Sequence, residues 1–558
     1  MIKHFLRLSF IFCFVISAQA GNTSDKKDDT PAKPKLIIGI VIDQMRYDYI
    51  TRFWDKFGDG GFKELVGEGF FFRNTTYNYV PTFTGPGHAS IYTGTSPATH
   101  GIIANDWFDR TENKMVYCTD DKTVQTVGST SAAGQMSPSR LLASTVTDEL
   151  KLFSNMRSKV IGISLKDRGA IMPAGHLANA AYWFDGTTGG WISSTYYMSD
   201  LPDWVKKFNE KKMADKYLSK DWETLLSIKE YTESLADDNK YEGKFTGEIS
   251  PTFPHKLSGL AILKNQASTQ TTNYDLIRST PFGNSLLKDF AIETIESEKM
   301  GKGENTDFLT VSFSSTDYVG HMYGPNSIEL EDTYLRLDKD LKEFILFLNN
   351  YLGKDNYVLF LTADHAAVNT PSYLQDVKLP AGYLDVAAKF NELKAFMIDE
   401  YRDDSLLLSF SNDQLFLNHP LIAKKKLDLA SVRKATANYM LSMDGIADAY
   451  TADEIHNIPA TDGIPLYLKN GYNAKRSGDV LLVLQPAWVE FGKTGTTHGS
   501  PYMYDRHVPL LFYGWKVKNG ETFKANSITD IAPTISSFMK MEYPNGCIGN
   551  PLTGFLKE

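Results

Sequence analysis

Six residues of metal-ligating type are arranged around the ends of apolar runs. Asp43 ends LIIGIVID (36–43), Asp317 follows DFLTVSFSS (307–315), and Asp364 with His365 closes NYVLFLTA (356–363). If these runs are parallel strands of one sheet, their carboxyl ends share the edge at which open α/β sheets bind ligands. Three carboxylates gathered there repel one another, and burying each without a counter-charge costs on the order of several kcal/mol, so protons, basic partners or metal must compensate. The accompanying histidines favour metal. Asp317 and His321 stand four apart in STDYVGHMYGP, on one face of a helical turn, and His498 sits in the loop KTGTTHGSP. Carboxylate oxygen and imidazole nitrogen without thiolate suit zinc first and manganese next, and they argue against an all-oxygen magnesium site.

A hydroxyl and a group of donors complete the chemistry. In YVPTFTGPGHASIYTG (79–94), Thr84 precedes Gly-Pro-Gly and a helical pattern from about His88. A helix N-terminus carries free N–H groups and partial positive charge, which suits phosphate or sulfate. Thr84 is there either an N-cap or a nucleophile, with Thr82 as the rival hydroxyl. Lys166 and Arg168 in SLKDRGA follow the run KVIGISL (159–165) two residues apart, so an extended backbone aims both at one face. An arginine fork grips two phosphate oxygens and a lysine adds a point charge, while Asn105 in IIANDWFD can donate an amide N–H. The segment SPSR (137–140) imitates a sulfatase core, but Met136 stands where the nucleophile would be, and no G-x-S-x-G elbow or Walker loop occurs. His88, His100, His176 and His507 read as structural or supporting groups.

The elements that must position these residues follow from the apolar pattern. Runs at 36–43, 159–165, 307–315, 356–363, 479–486 and 508–514 read as strands buried on both faces of one sheet. Helical periodicity fills 139–153, 285–300 and 327–352 between them. The expected fold is α/β, a predominantly parallel central sheet sandwiched by helices. Two intervals, about 177–280 and 368–476, break the alternation and read as inserted rim segments. The 558 residues would suggest three or four domains at about 150 each. The strand pattern instead assigns 36–558 to one domain with insertions.

The order Asp43, Thr84 before GPGH, Asp317-x-x-x-His321, Asp364-His365 and His498 in THGS resembles the alkaline phosphatase superfamily, and within it the phosphate-irrepressible, PafA-type phosphomonoesterases. The resemblance implies two zinc ions per chain, one held by Asp317, His321 and His498, the other by Asp43, Asp364 and His365 with the Thr84 oxygen. It further implies that Asn105, Lys166 and Arg168 bind the phosphate. Two divalent ions about 4 Å apart can clamp the attacking and leaving oxygens of an in-line displacement. The expected activity is hydrolysis of small-molecule phosphate monoesters through a phospho-threonine, releasing inorganic phosphate. A nucleotide pyrophosphatase/phosphodiesterase shares the metals and the threonine, and a silent exported phosphate- or zinc-binding protein is the rival from another class.

Hydrophobic residues make up 42% and charged residues 22% of the chain, which excludes a disordered, collagenous or coiled-coil protein. The formal charge of -9 gives no broad positive field, so nucleic acid is not an expected partner. Residues 1–20 combine Lys3 and Arg7, a short apolar stretch and the sequence Ala18-Gln19-Ala20, which reads as a signal peptide cleaved after Ala20, followed by a polar leader to residue 35. Periplasmic or secreted placement, no membrane span and a monomer are expected. Cleavage would leave Cys118 and Cys547, an even pair in a compartment where disulfides persist, although sequence does not say whether they are neighbours.

Overall fold

The run Leu36–Ile42 is fully buried along its length, as an Ile/Val-rich strand flanked on both sides by others must be. In the computed structural model, which describes residues 31–264 and 270–557, it is β1 at the centre of an eleven-stranded sheet. The expected signal peptide lies outside the described residues. The other strands are β2 (Phe70–Thr76), β3 (Thr126–Val127), β4 (Val160–Ser164), β5 (Ala180–Asp185), β6 (Gly190–Ser194), β7 (Asp307–Phe313), β8 (Tyr357–Thr362), β9 (His507–Gly514), β10 (Gly520–Thr522) and β11 (Asn526–Ser527). Their order is β10-β2-β9-β8-β1-β7-β4-β5-β6-β3, with β11 beside β2.

The centre β8-β1-β7-β4-β5 is parallel, and β9 turns antiparallel to β8. The register aligns Ile42 with Phe313 and Val41 with Thr362, so the chain leaves β1, β7 and β8 at one level of the same edge. Helices cover the faces: α1 (Thr84–Thr93), α2 (Asp167–Ala174), α3 (Ser315–Tyr323) and α4 (Ile328–Tyr351) carry or brace the residues of interest. The last begins where the Ser327 side chain accepts from the Leu330 N–H, with Glu329 and Glu331 in its first turn.

Two sequence expectations are corrected. The interval 177–280 supplies β5 and β6 to the main sheet before it departs from it. The run 479–486 does form a strand, Val480–Leu484, but it joins Gln414–Leu417 and Ile446–Thr451 in a separate four-stranded antiparallel sheet. An apolar run reports burial on both faces and says nothing about which sheet provides it. This second sheet has its own core of Leu415, Leu417, Val480, Leu482, Leu393 and Met440.

The cysteines are also separated. Cys118 lies against Gly85 at the start of α1 and Cys547 against Gly94 at its end, and both are free thiols. Nine residues of helix at about 1.5 Å per residue keep them roughly 13 Å apart, too far to bridge.

Close packing of α1 on the sheet edge depends on Gly87. A Cβ there would lie 2.3 Å from the Asp364 carbonyl oxygen and 2.8 Å from the Asp364 Cβ. Gly87→Ala must therefore lift the helix or push back the loop after β8. Thermal and denaturant unfolding should show a loss of about 1–3 kcal/mol, whereas an unchanged transition would mean that the contact is not tight.

Candidate metal and phosphate centre

The strand ends deliver the predicted ligands to one buried spot. Asp43 follows β1 directly, and its N–H continues the ladder to the Phe313 carbonyl at 2.9 Å. Asp317 projects from the first turn of α3, which is pinned to β1 by Thr316 Oγ1 donating to the Asp43 carbonyl at 2.6 Å. Asp364 and His365 leave β8, and His498 arrives on a loop from the far side of the inserted sheet. That loop is stitched to its neighbours by Thr496 Oγ1 on the Val368 carbonyl and by Ser500 on Asp505.

Two groups of donors converge. Asp317, His321 and His498 form one, and Asp43, Asp317 and His365 the other, with Asp317 common to both. His321 Nε2 stands 3.1 Å and His498 Nε2 3.7 Å from Asp317 Oδ1, and His365 Nε2 is 3.4 Å from Asp43 Oδ1. Asp364 joins at the rim of the second group, with Oδ2 3.6 Å from His365 Nε2 and Oδ1 accepting from the Gln44 N–H. The rings of His365 and His498 stack at 3.4 Å.

Each imidazole is oriented by its other nitrogen. Nδ1 of His321 meets the Thr496 carbonyl and Nδ1 of His498 the Thr82 carbonyl, both at 2.7 Å, and Nδ1 of His365 meets the Ala366 carbonyl at 3.1 Å. The Nε2 lone pairs are thereby left facing the carboxylates, the arrangement found around metal-bound histidines. Burial pushes the basicity of His498 well down, with His365 and His321 adding to the effect, and burial lowers His365 as well. Neutral imidazole is the form that ligates metal.

The carboxylates divide. Burial raises Asp43 well above the usual range, and neighbouring Asp317 and Asp364 add to the rise despite the pull of Lys166. Burial also opposes ionisation of Asp317, but His321, Lys166 and His498 hold it well below that range, and His365 and His88 do the same for buried Asp364. Asp43 Oδ1 and Asp364 Oδ2 are buried without a hydrogen-bond partner among the described residues. Orphaned carboxylate oxygens beside neutral imidazole nitrogens fit a divalent cation of the zinc type.

Thr84 is the first residue of α1, directly after the N-cap Phe83, and is 1% exposed. Its Oγ1 faces His365 Nε2 at 3.4 Å, whereas Thr82 Oγ1 turns to the Ser500 carbonyl. The helix end offers fewer donors than its sequence suggests, because Pro86 has no N–H and the Gly85 N–H is taken by Asn105 Oδ1 at 2.8 Å. That bond fixes the Asn105 amide and leaves its NH2 to donate. Lys166 sits between carboxylates, Nζ 2.7 Å from Asp43 Oδ2 and 2.5 Å from Asp317 Oδ2, and these partners keep it charged in spite of burial. Arg168 donates from Nη1 to Tyr117 Oη at 2.8 Å, and Tyr117 in turn donates to Asp167.

Sequence reasoning placed His88 among the supporting groups and missed two others, Gln44 and Tyr117. Gln44, held at a φ of 63°, donates its N–H to Asp364 Oδ1 and its Nε2 to Asp317 Oδ1 at 2.8 Å. His88 places Nδ1 2.9 Å from the Thr84 carbonyl and 3.3 Å from Asp364 Oδ2. Tyr117 orients Arg168. Adjacency to Asp43 is the signal for Gln44, and Tyr117 has none.

Comparison with known proteins agrees with this geometry. Residues 37–507 match the family model "Type I phosphodiesterase / nucleotide pyrophosphatase". Alkaline phosphatase PhoV of Synechococcus elongatus is 46% identical over 99% of both chains, and alkaline phosphatase PafA of Elizabethkingia meningoseptica is 43% identical over 96% of both. The crystal structure of wild-type PafA superposes with a TM-score of 0.89 over 94% of this chain and 99% of that one, at 43% identity. The chain belongs to the alkaline phosphatase superfamily. It is an enzyme of the alkaline phosphatase kind. A PafA variant altered at one threonine, one asparagine, one lysine and one arginine matches equally well, with a TM-score of 0.90 at 42% identity.

Because Asp317 serves both donor groups, Asp317→Ala should lower bound metal at two positions and His321→Ala at one. Metal analysis by mass spectrometry of the purified variants checks this, and equal losses in the two would refute a shared ligand.

Proposed function

We propose that this enzyme hydrolyses phosphate monoesters with two zinc ions and a phospho-threonine intermediate, and that it acts as a monomer outside the cytoplasm after loss of residues 1–20. The observation that carries the reading is Thr84 Oγ1, at the first position of α1 and facing His365 beside the buried carboxylates. The four residue types altered in the PafA variant are those of Thr84, Asn105, Lys166 and Arg168, which supports their assignment to the reaction.

Asp317, His321 and His498 would hold one ion, and Asp43, Asp364 and His365 the other, with Asp317 near both. When bound, zinc supplies Lewis-acid stabilisation of oxyanions and lowers the pKa of a hydroxyl. Thr84 Oγ attacks phosphorus, losing its proton, while the ester P–O bond breaks and the alcohol leaves. Water then attacks the phospho-threonine, releasing phosphate and returning a proton to Thr84 Oγ. Throughout, Asn105 donates its NH2 to a phosphate oxygen and Arg168 presents its planar fork, steered by Tyr117. Lys166 balances Asp43 and Asp317 and adds positive charge where the dianion sits. A monoester carries more charge than a diester, so this density of donors favours the monoester.

The matched family model describes phosphodiesterases, which makes the diester the second reading. Thr84→Ala should lower kcat/KM for p-nitrophenyl phosphate by about three orders of magnitude or more. Lys166→Ala and Arg168→Ala should each cost about ten- to a hundredfold on the monoester and far less on bis-p-nitrophenyl phosphate. Wild-type preference for the diester would overturn the monoesterase assignment.

A further inference from the structure

Beside the metal centre, between the main body and the inserted sheet, lies a cavity of about 110 Å³. A single water needs roughly 10–15 Å³ of such space, so there is room for a small headgroup. One wall belongs to the reaction site: Phe83, the residue before Thr84, and His498 both line it, their rings edge to face 5.5 Å apart. Trp488 and Tyr504 add two more aromatic rings to the lining.

Three carboxylates line the same space, Asp413, Glu490 and Asp505, and no lysine or arginine does. Asp413 is the second residue of the two-residue turn joining Leu407–Ser411 to Gln414–Leu417, held at a φ of 56° with its carbonyl accepting from the Leu482 N–H at 2.8 Å. Asp505 is fully buried. Its Oδ2 accepts from the Ser500 N–H and hydroxyl, and its Oδ1 has no hydrogen-bond partner. Burial, with Glu490 close by, pushes Asp413 up to about 7, whereas Glu490 is exposed to solvent, with Asp106 beside it. Asp106 in turn feels the charge of Arg168, so the acidic wall begins next to the phosphate-binding side chains. Arg46 is the basic group facing Asp505.

Three carboxylates lining one cavity with the rings of Phe83 and Tyr504, and no basic side chain among the lining residues, suit an organic cation. An alkylammonium is stabilised by both ring faces and carboxylates, and the gain grows as water is excluded. An anionic leaving group would be repelled, and a neutral one would leave the carboxylates uncompensated. We propose that this cavity is a leaving-group subsite for phosphate monoesters of amino alcohols, the ammonium lodging beside Asp413 and Glu490 while the phosphate meets Thr84. This assignment rests on the monoesterase reading and narrows its substrate class.

The test compares phosphocholine with 3,3-dimethylbutyl phosphate, its neutral isostere, on the zinc-loaded enzyme. Wild type should favour phosphocholine in kcat/KM by about tenfold, and the Asp413→Asn/Glu490→Gln double variant should bring that ratio close to one, with most of the change in KM and most of the loss on the cationic ester. The change in ratio between wild type and variant removes any difference in leaving-group reactivity between the two esters. Isothermal titration of choline into the holoenzyme reads the subsite without turnover, and the double variant should weaken that binding about tenfold. An unchanged ratio, or choline binding that is absent or insensitive to the substitutions, overturns the subsite while leaving the monoesterase intact. Failure to hydrolyse any monoester would instead strike the proposed function, and the titration would still decide the subsite.

Discussion

The repulsion among Asp43, Asp317 and Asp364 is the constraint around which the structure is arranged. A parallel sheet brings them together for geometric reasons, since the register of β1, β7 and β8 leaves no freedom to separate their ends. Burial then removes the water that would have screened them. Lys166 meets two of the three, the histidines surround Asp317, and His88 with the Gln44 N–H meets Asp364. Asp43 Oδ1 and Asp364 Oδ2 face these histidines yet accept no hydrogen bond from the described residues. The side chains thus compensate part of the charge, and the remainder defines what must bind.

The same constraint explains why so much of the site was legible before the coordinates. An aspartate directly after an unbroken Ile/Val run is a costly residue in a costly place, and three of them in a parallel α/β chain point to one edge. His321 was legible from its spacing to Asp317 on a single helical turn, and Thr84 from the Gly-Pro-Gly that follows it. Family likeness supplied the division of ligands, and the structure modifies it by placing Asp317 within reach of both groups.

What was illegible depends on three-dimensional neighbours. Val480–Leu484 has the composition of a main-sheet strand, and only its pairing with Gln414–Leu417 and Ile446–Thr451 shows that it belongs elsewhere. The two cysteines pack on one helix yet at opposite ends, a separation invisible in the chain order. Tyr117 orients Arg168 from a short strand with no pattern of its own, and Lys166 turned out to be as much a partner of carboxylates as a donor for phosphate.

The loop carrying His498 has a consequence for how the protein comes into being. β1 is paired with strands that lie some 270 and 320 residues later, and the last ligand reaches the centre only with residue 498. Contacts of such long range form late and slowly. A growing chain therefore holds Asp43 and Thr84 for most of its synthesis without the partners that would make the hydroxyl reactive. Assembly of the candidate centre coincides with closure of the fold, so a half-made molecule carries Thr84 apart from the groups that face it in the finished one.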